Sequence, residues 1–383
     1  MGVDAASRQS VTSRGASWVL LALVLATLAR GGTAAAQPPG SAAQTRKTTP
    51  QESAAVERRL SEAVRRDPGS FEAHQALAGF YLQQGKLDAA IPHLERAQTI
   101  DPAHYANSYD LALALLQTGK LNPAREQVRG MLSAKETGEL HNLLGDVEER
   151  AGNLVAAAEE YERAAHMDPT EDHLFDWGNN LVQLRAFEPA TAVFSMAIAR
   201  HPKSARLHVG LGIAQYSRGQ YEDSVKTFCR AADLAPTDPR AYQFLGEMYG
   251  VVPELGGEVT RRLARFVKAQ PRNALAHYHY ALSLWKGQPA AAQPADKRQV
   301  EALLRRAVAL DPKLAKGFLE LGILLSDEQR YKEAIQELRH ATRLEPGLAQ
   351  AHYRLAQAYQ RTGQNGLAAK ELEIFEQLKA ASR

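Results

Sequence analysis

Apolar side chains recur with a helical period along residues 71–102, and the pattern breaks once near the middle. Each half carries its apolar residues on one side, with spacings of three and four in the second half, which is typical of an amphipathic helix. Gly85 separates the halves, because glycine takes a turn conformation without steric cost. Neither half is long enough to be stable alone in water, so the pattern predicts a helix–turn–helix unit that packs against neighbours. The apolar positions are Leu77, Ala78 and Tyr81, then Ala90, Leu94, Ala97 and Ile100.

Prolines at the predicted helix ends indicate that this unit repeats through the chain. Their spacings are 34, 67, 33, 34, 35, 41 and 34 residues, and the 67 corresponds to two units with no proline at Glu136. Aligned on this period, position seven is large and apolar in every unit, and position eight is Gly or Ala. Small residues at position eight let two helices approach closely, and a larger side chain would overpack the contact at a cost of about 1–3 kcal/mol. The prolines are Pro68, Pro102, Pro169, Pro202, Pro236, Pro271, Pro312 and Pro346.

The 34-residue pattern resembles the tetratricopeptide repeat (TPR) family over residues 51–383. Five units also carry a glycine in the turn between their helices, at Gly85, Gly119, Gly152, Gly219 and Gly363. The resemblance implies an all-α fold, a right-handed superhelical solenoid of about nine helix-turn-helix repeats with a concave groove. The predicted repeats are about 71–102, 105–136, 138–169, 171–202, 205–236, 239–271, 274–312, 315–346 and 349–380. Residues 52–67 are expected to form a helix that caps the first repeat.

The first fifty residues differ from the rest of the chain. An apolar run at 16–29 follows two arginines and precedes a small-residue stretch that ends at Ala36, which predicts a signal peptide over 1–36 with cleavage after Ala36. The protein is therefore expected to be exported, either periplasmic or secreted, with no membrane span after cleavage. A retained anchor stays open as an alternative. Residues 37–50 are rich in Pro, Ser, Thr and Ala and predict a disordered linker.

Charge and reactive residues argue against several function classes. The net charge is +3, and cleavage after Ala36 would remove three arginines and one aspartate to leave +1, which does not favour nucleic-acid binding. The single cysteine, Cys229, is expected to be a packed residue. Five histidines recur at position four of the first helix, where the family places a packing residue, so we expect neither a metal nor a cofactor. Recognised catalytic motifs are absent, and a non-enzymatic protein is predicted. The histidines are His74, His141, His208, His277 and His352.

Candidate binding residues follow from the family resemblance, which places positions 2, 5, 6, 9, 12 and 13 of each first helix on the concave face. At these positions, repeats one to four carry seven acids against one base, Arg150, whereas repeats five to nine carry six bases against three acids. Interleaved aromatic residues and arginines are typical interface anchors. The candidate groove residues are Tyr109, Asp146, Phe175, Asp176, Asn179, Tyr216, Tyr278, Trp285, Lys316, Tyr353, Arg354 and Arg361.

The predicted function is a protein–protein interaction scaffold or adaptor that binds a partner protein or peptide segment in the groove, with the charge gradient setting its direction. The alternative is a self-assembling structural subunit of an envelope secretion, pilus or polysaccharide-export machine, in which the irregular repeats six and seven would form the contact between copies. A homo-oligomer is compatible with either function. Recognition of a carbohydrate polymer by groove aromatics is a third, less favoured hypothesis.

Overall fold

The computed structural model describes residues 50–287 and 295–381, and within these ranges it contains 19 α-helices, one short 3₁₀ helix and no strand. Contacts divide the chain into two compact units, residues 1–200 and 201–383. The predicted signal peptide and all but the last residue of the predicted linker lie outside the described residues. Right-handed superhelical coiling concerns the whole array, and it stays a prediction.

In its described residues, 50–200, unit 1 consists of a leading helix followed by four helix pairs. Each pair matches one predicted repeat, and the leading helix packs against the first pair where the cap was expected. The helices are α1 (Pro50–Arg66), α2 (Phe71–Gln83), α3 (Leu87–Ile100), α4 (Tyr105–Gln117), α5 (Leu121–Ala134), α6 (Gly138–Arg150), α7 (Leu154–Met167), α8 (Glu171–Gln183) and α9 (Phe187–Arg200).

In its described residues, 201–287 and 295–381, unit 2 consists of five helix pairs, of which the second is irregular. Its first helix ends early, at Glu247, and a 3₁₀ helix at Pro253–Leu255 leads directly into the second helix. Residues 288–294, in the predicted repeat seven, lie outside the described residues. The helices are α10 (Ala205–Ser217), α11 (Tyr221–Leu234), α12 (Pro239–Glu247), α13 (Gly256–Ala269), α14 (Ala274–Lys286), α15 (Lys297–Leu310), α16 (Ala315–Asp327), α17 (Tyr331–Leu344), α18 (Ala349–Arg361) and α19 (Asn365–Ala381).

In the described residues, seven helix pairs have one residue in the left-handed conformation in the turn between their helices. All five predicted turn glycines have φ between 67° and 82°. Where the chain lacks a glycine at this place, Arg185 and Gln329 adopt the same conformation with φ of 59° and 61°. A left-handed residue with a side chain costs roughly 1–2 kcal/mol, so the packing of the two helices maintains the turn even without glycine.

Small residues at position eight allow the two helices of a pair to touch, as the repeat pattern predicted. A Cβ atom added at Gly145 would lie 2.6 Å from the ring of Tyr161, and one at Gly178 would lie 2.8 Å from the ring of Phe194. Both aromatic rings are almost fully buried, at 2% and 1% exposure. The glycine therefore provides the space that a large side chain of the second helix fills.

Three of the recurring histidines, His74, His141 and His352, are buried links between the two helices of a repeat. His352, for example, contacts Glu371 through Nδ1 at 2.6 Å and the Pro346 carbonyl through Nε2 at 3.0 Å. The equivalent His141 contacts Glu160 at 2.6 Å. These contacts join the first helix of a repeat to its second helix, and in His352 also to the preceding helix end, which accounts for the recurrence of histidine at position four.

Candidate functional site

Three first helices of unit 1, α4, α6 and α8, concentrate acidic side chains at the positions that the family resemblance assigns to the groove. Thr137 and Thr170 begin α6 and α8 as N-caps, accepting hydrogen bonds from Leu140 N and His173 N at 3.3 and 3.2 Å. Starting at these caps, helical spacing directs the acids of both helices to one side. We call the set the acidic face: Asp110, Glu139, Asp146, Glu149, Asp172 and Asp176.

Side chains 34 residues apart connect neighbouring first helices along this face. The Tyr105 hydroxyl donates to Glu139 Oε2 at 3.2 Å, which joins α4 to α6. Asn142 Nδ2 donates to Asp176 Oδ2 at 3.1 Å, which joins α6 to α8. The acidic face is therefore one continuous surface across three repeats of unit 1.

Asp146 has a strongly raised pKa. Burial and the nearby charge of Asp176 raise its pKa to about 7, although a hydrogen bond from the Tyr161 hydroxyl, 2.8 Å away, partly opposes this effect. Arg150 also favours the ionised form of Asp146. Its guanidinium donates through Nη1 to the Leu116 carbonyl at 2.9 Å. Negative charge is thus held on this surface at an energetic cost.

Amide oxygens supply further hydrogen-bond acceptors at the same place. Asn179 lies one turn beyond Asp176 on the same face of α8 and is only 4% exposed. Its Oδ1 atom makes no hydrogen bond within the described residues, and neither does Oδ1 of Asn142, whose Nδ2 binds Asp176. A buried acceptor without a donor destabilises the fold by roughly 1–3 kcal/mol, so these oxygens are sites where a donor would be favoured.

Two tyrosines lie beside the acids on α4. The rings of Tyr105 and Tyr109 are stacked, with centroids 6.1 Å apart and planes 19° apart. Burial and the Glu139 carboxylate raise the pKa of Tyr109, so its hydroxyl stays protonated as a donor. Tyr105 is 43% exposed and leaves an aromatic surface open to solvent next to the carboxylates.

Phe175 and Tyr278 require a correction, because the structure does not place them as exposed groove aromatics. Phe175 is 1% exposed, and its ring centre lies 6.0 Å from that of Phe194 in the core of the α8–α9 pair. Tyr278 is 6% exposed and packs edge-on against His279. Both residues occupy position five. An aromatic ring at this position is large enough to pack between the helices, which removes its apolar surface from water.

In unit 2, several of the basic groove residues are already paired. Lys286 forms an ion pair with Glu320 and lies 4.6 Å from the centre of the Trp285 ring. Arg240 pairs with Asp238, with Nε 2.8 Å from Oδ2. These contacts neutralise part of the positive charge that the sequence suggested for the second half.

The remaining candidate residues of unit 2 lie nearer the surface. Lys316 and Arg361 are exposed, and Arg354 donates to Gln357 at 3.3 Å. Tyr216 is half-buried against Tyr221, with ring centres 5.2 Å apart. Tyr353 is 38% exposed, and its ring centre lies 5.1 Å from that of Phe375 on α19.

Within the described residues, we looked for a reactive thiol and for groups that could bind a metal ion. Burial raises the pKa of the Cys229 thiol to about 11, so the thiolate is scarce at neutral pH. Searching residues 50–287 and 295–381 for groups of three or more His, Cys, Asp or Glu with metal-binding geometry finds none. In the same residues, no helix combines the length and the hydrophobicity needed to cross a bilayer.

Sequence reasoning missed two contributors to the acidic face, Asn142 and Tyr161. Tyr161 belongs to the second helix α7, yet its hydroxyl reaches Asp146 at 2.8 Å and Glu149 at 3.3 Å. The available signal was the pairing of Gly145 at position eight with a tyrosine at position twenty-four. The two following repeats have phenylalanine at that position, so their second helices bring no hydroxyl to the face from this place.

Family models identify the class of protein. Tetratricopeptide repeat models match residues 54–105, 81–147 and 175–239, and a TPR repeat model matches residues 324–363. The chain belongs to the tetratricopeptide repeat family. The all-α repeat fold predicted from the sequence is confirmed, and repeats of this family support a protein-interaction scaffold in general terms.

Comparisons with particular proteins add distant similarities. The chain is 24% identical over 176 residues to human protein O-mannosyl-transferase TMTC1, which covers 43% of this chain and 20% of that protein. It is 44% identical over 59 residues to protein O-mannosyl-transferase Tmtc2 of Drosophila melanogaster, covering 15% of this chain and 6% of that protein. A solved structure of the C-terminal part of a TPR repeat-containing protein from Cytophaga hutchinsonii matches with a TM-score of 0.51 and 16% identity, over 63% of this chain and 96% of that one. This last similarity concerns the fold alone.

Proposed function

We propose that the chain is a scaffold that binds a segment of a partner polypeptide on the inner faces of its first helices. The acidic face of unit 1 carries this proposal. It combines a surface continuous over α4, α6 and α8 with a carboxylate of raised pKa and with buried acceptors that lack donors. Such groups cost stability in the free protein, and a bound partner that supplies donors would recover that cost.

An enzymatic role is not part of the proposal. The repeats account for the described chain, and the thiol of Cys229 is held protonated in the core. Mannosyl transfer is named for the two relatives, but the matched stretches cover only 20% and 6% of those proteins. Export through residues 1–36 stays a prediction from the sequence.

Site-specific photo-crosslinking tests the proposed binding surface. A photoreactive phenylalanine analogue at Tyr109 would report on the inner face, and the same analogue at Val155, which is 65% exposed on α7, would serve as the matched control. With an extract of the native host, we expect a discrete crosslinked partner from position 109 and none from position 155. Equal crosslinking from both positions, or from 155 alone, would contradict binding on the inner face.

Self-assembly is the second candidate function, and one observation favours it. The last described helix, α19, exposes Leu367 and Ile374 at 43% and 37%, two turns apart on the same side of the helix. Exposed apolar residues grouped in this way are typical of a contact between proteins. Light scattering during size-exclusion chromatography distinguishes the two functions: a stable oligomer that Ile374→Glu reduces to a monomer would favour self-assembly.

A further inference from the structure

The first repeat contains two histidines in direct contact with each other. His74 on α2 and His93 on α3 approach through their Nδ1 atoms at 3.2 Å, and their ring centres are 5.4 Å apart. His74 is 6% exposed, and His93 is half-buried. We call these two residues the histidine pair, and it forms part of the packing between the two helices of repeat one.

A neighbouring carbonyl determines which nitrogen atoms of the histidine pair carry hydrogen. His74 Nε2 lies 3.3 Å from the Pro68 carbonyl oxygen, which can only accept, so Nε2 is the donor. In neutral His74 the Nδ1 atom is then an acceptor, and Nδ1 of His93 must donate to it. One proton added to the pair, at Nε2 of His93, leaves this hydrogen bond in place. A second proton, at Nδ1 of His74, would bring two N–H donors and two positive charges together at 3.2 Å.

Repeats three and nine have a glutamate at the place that His93 occupies in repeat one, 19 residues after the histidine at position four. His352 Nδ1 lies 2.6 Å from Glu371 Oε2, and His141 Nδ1 lies 2.6 Å from Glu160 Oε2. A proton added to either of these histidines meets a carboxylate, whereas the second proton in repeat one meets another imidazole. Acid should therefore act differently on repeat one than on repeats three and nine.

The side chains of α3 and α4 near the histidine pair bring no negative charge to it. Arg96 Nε on α3 donates to the Pro68 carbonyl at 3.4 Å, the same oxygen that His74 binds. At the start of α4, the ring centre of His104 lies 4.6 Å from that of Phe71, one turn before His74. The guanidinium adds positive charge on this side, which opposes a second proton on the pair.

Glu57 on α1 is the carboxylate that approaches the pair from the cap helix, and it already has partners. It accepts a hydrogen bond from the Tyr81 hydroxyl at 3.0 Å and forms an ion pair with Lys86 at 3.4 Å. The Tyr81 ring stacks on His93, with ring centres 5.9 Å apart, so this tyrosine links the pair to α1. Burial and the charge of His74 lower the pKa of His93, the direction that this arrangement requires.

We propose that the histidine pair makes repeat one an acid-sensitive end of the described repeat array: below about pH 6, the contact between α2 and α3 weakens, and α1 opens together with repeat one while the other repeats stay folded. Each repeat in such an array contacts only its neighbours, so one end can open without global unfolding. This inference concerns the stability of repeat one and is independent of the scaffold function.

The direction of the pH effect follows from the number of protons that each state binds. In the open state both imidazoles ionise near the ordinary value of 6.5, whereas the closed pair accommodates only one proton. Because the open state binds more protons in acid, the closed state has its full stability above this pH and loses it as the pH falls. One withheld proton raises the opening equilibrium by about ten- to thirtyfold between about pH 7.5 and about pH 5.

Hydrogen exchange of the full chain, followed by mass spectrometry at about pH 7.5 and about pH 5, tests the inference. Rates are corrected for the intrinsic exchange of each amide at each pH, and a chelator prevents a metal ion from bridging the two imidazoles. The test variant is His93→Glu, which gives repeat one the histidine–glutamate contact of repeats three and nine. The matched control is His166→Gln, which removes an exposed histidine from α7.

In the wild type and the control, the protection of α1, α2 and α3 should fall about ten- to thirtyfold on acidification, and that of α18 and α19 less than about threefold. In His93→Glu the fall in repeat one should disappear. Equal falls in repeats one and nine of the wild type, or no fall in repeat one, would overturn the inference. An undiminished fall in His93→Glu would overturn it as well.

A second variant covers the case in which His93→Glu does not fold at neutral pH, as judged by circular dichroism. In His74→Gln, the amide can accept from His93 and donate to the Pro68 carbonyl but takes up no proton. The fall in protection of repeat one should then largely disappear, and an unchanged fall would contradict the role of the pair. The comparison of repeats one and nine within the wild type needs no variant, so it decides the matter in either case.

Discussion

Replacing Asp146 by asparagine is expected to stabilise the protein at high pH and not at low pH. In the unfolded chain this carboxyl ionises near its ordinary value of 3.8, whereas the fold raises its pKa to about 7. Between these values the folded state keeps a proton that the unfolded state has lost, so stability falls as the pH rises through this range. Asparagine keeps an oxygen that can accept from the Tyr161 hydroxyl but carries no charge, which removes the loss.

The magnitude follows from the two pKa values of Asp146. The interval from 3.8 to about 7 corresponds to an upper bound of about 4 kcal/mol at high pH. Asp146 keeps some contact with solvent, and Asp176 shares the repulsion, so the realised gain is on the order of 1–2 kcal/mol.

Urea unfolding of wild type and Asp146→Asn, followed by circular dichroism, measures this difference. The midpoint of the variant should be higher at about pH 8, and the difference should shrink to nearly zero at about pH 4. Glu159→Gln, at an exposed site on α7, is the control and should leave the midpoint unchanged at both pH values. A variant that is less stable than the wild type at about pH 8 would mean that the fold favours the Asp146 carboxylate, and the reasoning would be wrong.

Four further substitutions test the packing of the repeats. Gly145→Ala should lower the free energy of unfolding by about 1–3 kcal/mol, because the added Cβ would lie 2.6 Å from the facing aromatic ring. Gly79→Ala is the control: a Cβ there would have no atom within 4 Å, so urea unfolding should show a gain of about 0.5–1 kcal/mol. Arg125→Ala should lower the free energy of unfolding by about 3 kcal/mol, because it removes the arginine that makes two hydrogen bonds to the buried carboxylate of Glu148. Amide hydrogen exchange in α5 and α6 should become faster, and slower or unchanged exchange would contradict this. Gln329→Gly should raise the free energy of unfolding by about 0.5–1 kcal/mol, since it removes the strain of a residue with a side chain at a φ of 61°. A lower melting temperature for the variant would refute that account.

The repeat fold was accessible from the sequence because its signals recur. The same three features appear in unit after unit: a large residue at position seven, a small one at position eight and a turn residue between the helices. A unit that departs from the pattern at one position can therefore still be recognised from the other units. Even the substituted turn at Arg185 keeps the left-handed conformation. The close approach at Gly145 follows the same rule, because a small residue at position eight was predicted to let the two helices of a pair come together.

The binding residues were less accessible because they depend on where each side chain turns after the helix is formed. Phe175 and Tyr278 share a register position with half-exposed Tyr109, yet both rings turn into the core. The charge of Lys286 is used by an ion pair with Glu320 in the next first helix. The orientation and pairing of these side chains depend on neighbours one repeat away, and the sequence alone does not show which neighbour each side chain contacts.

Binding of the natural partner to the acidic face is the central claim, and one titration tests it most directly. The partner identified by crosslinking is titrated by calorimetry against the wild type and against the variant with Asp146→Asn and Asp176→Asn. The account predicts one binding site that the double substitution weakens at least about tenfold and that added salt weakens in the wild type more than in the variant. Identical affinities for the two proteins at low and high salt would contradict the claim that this face receives the partner.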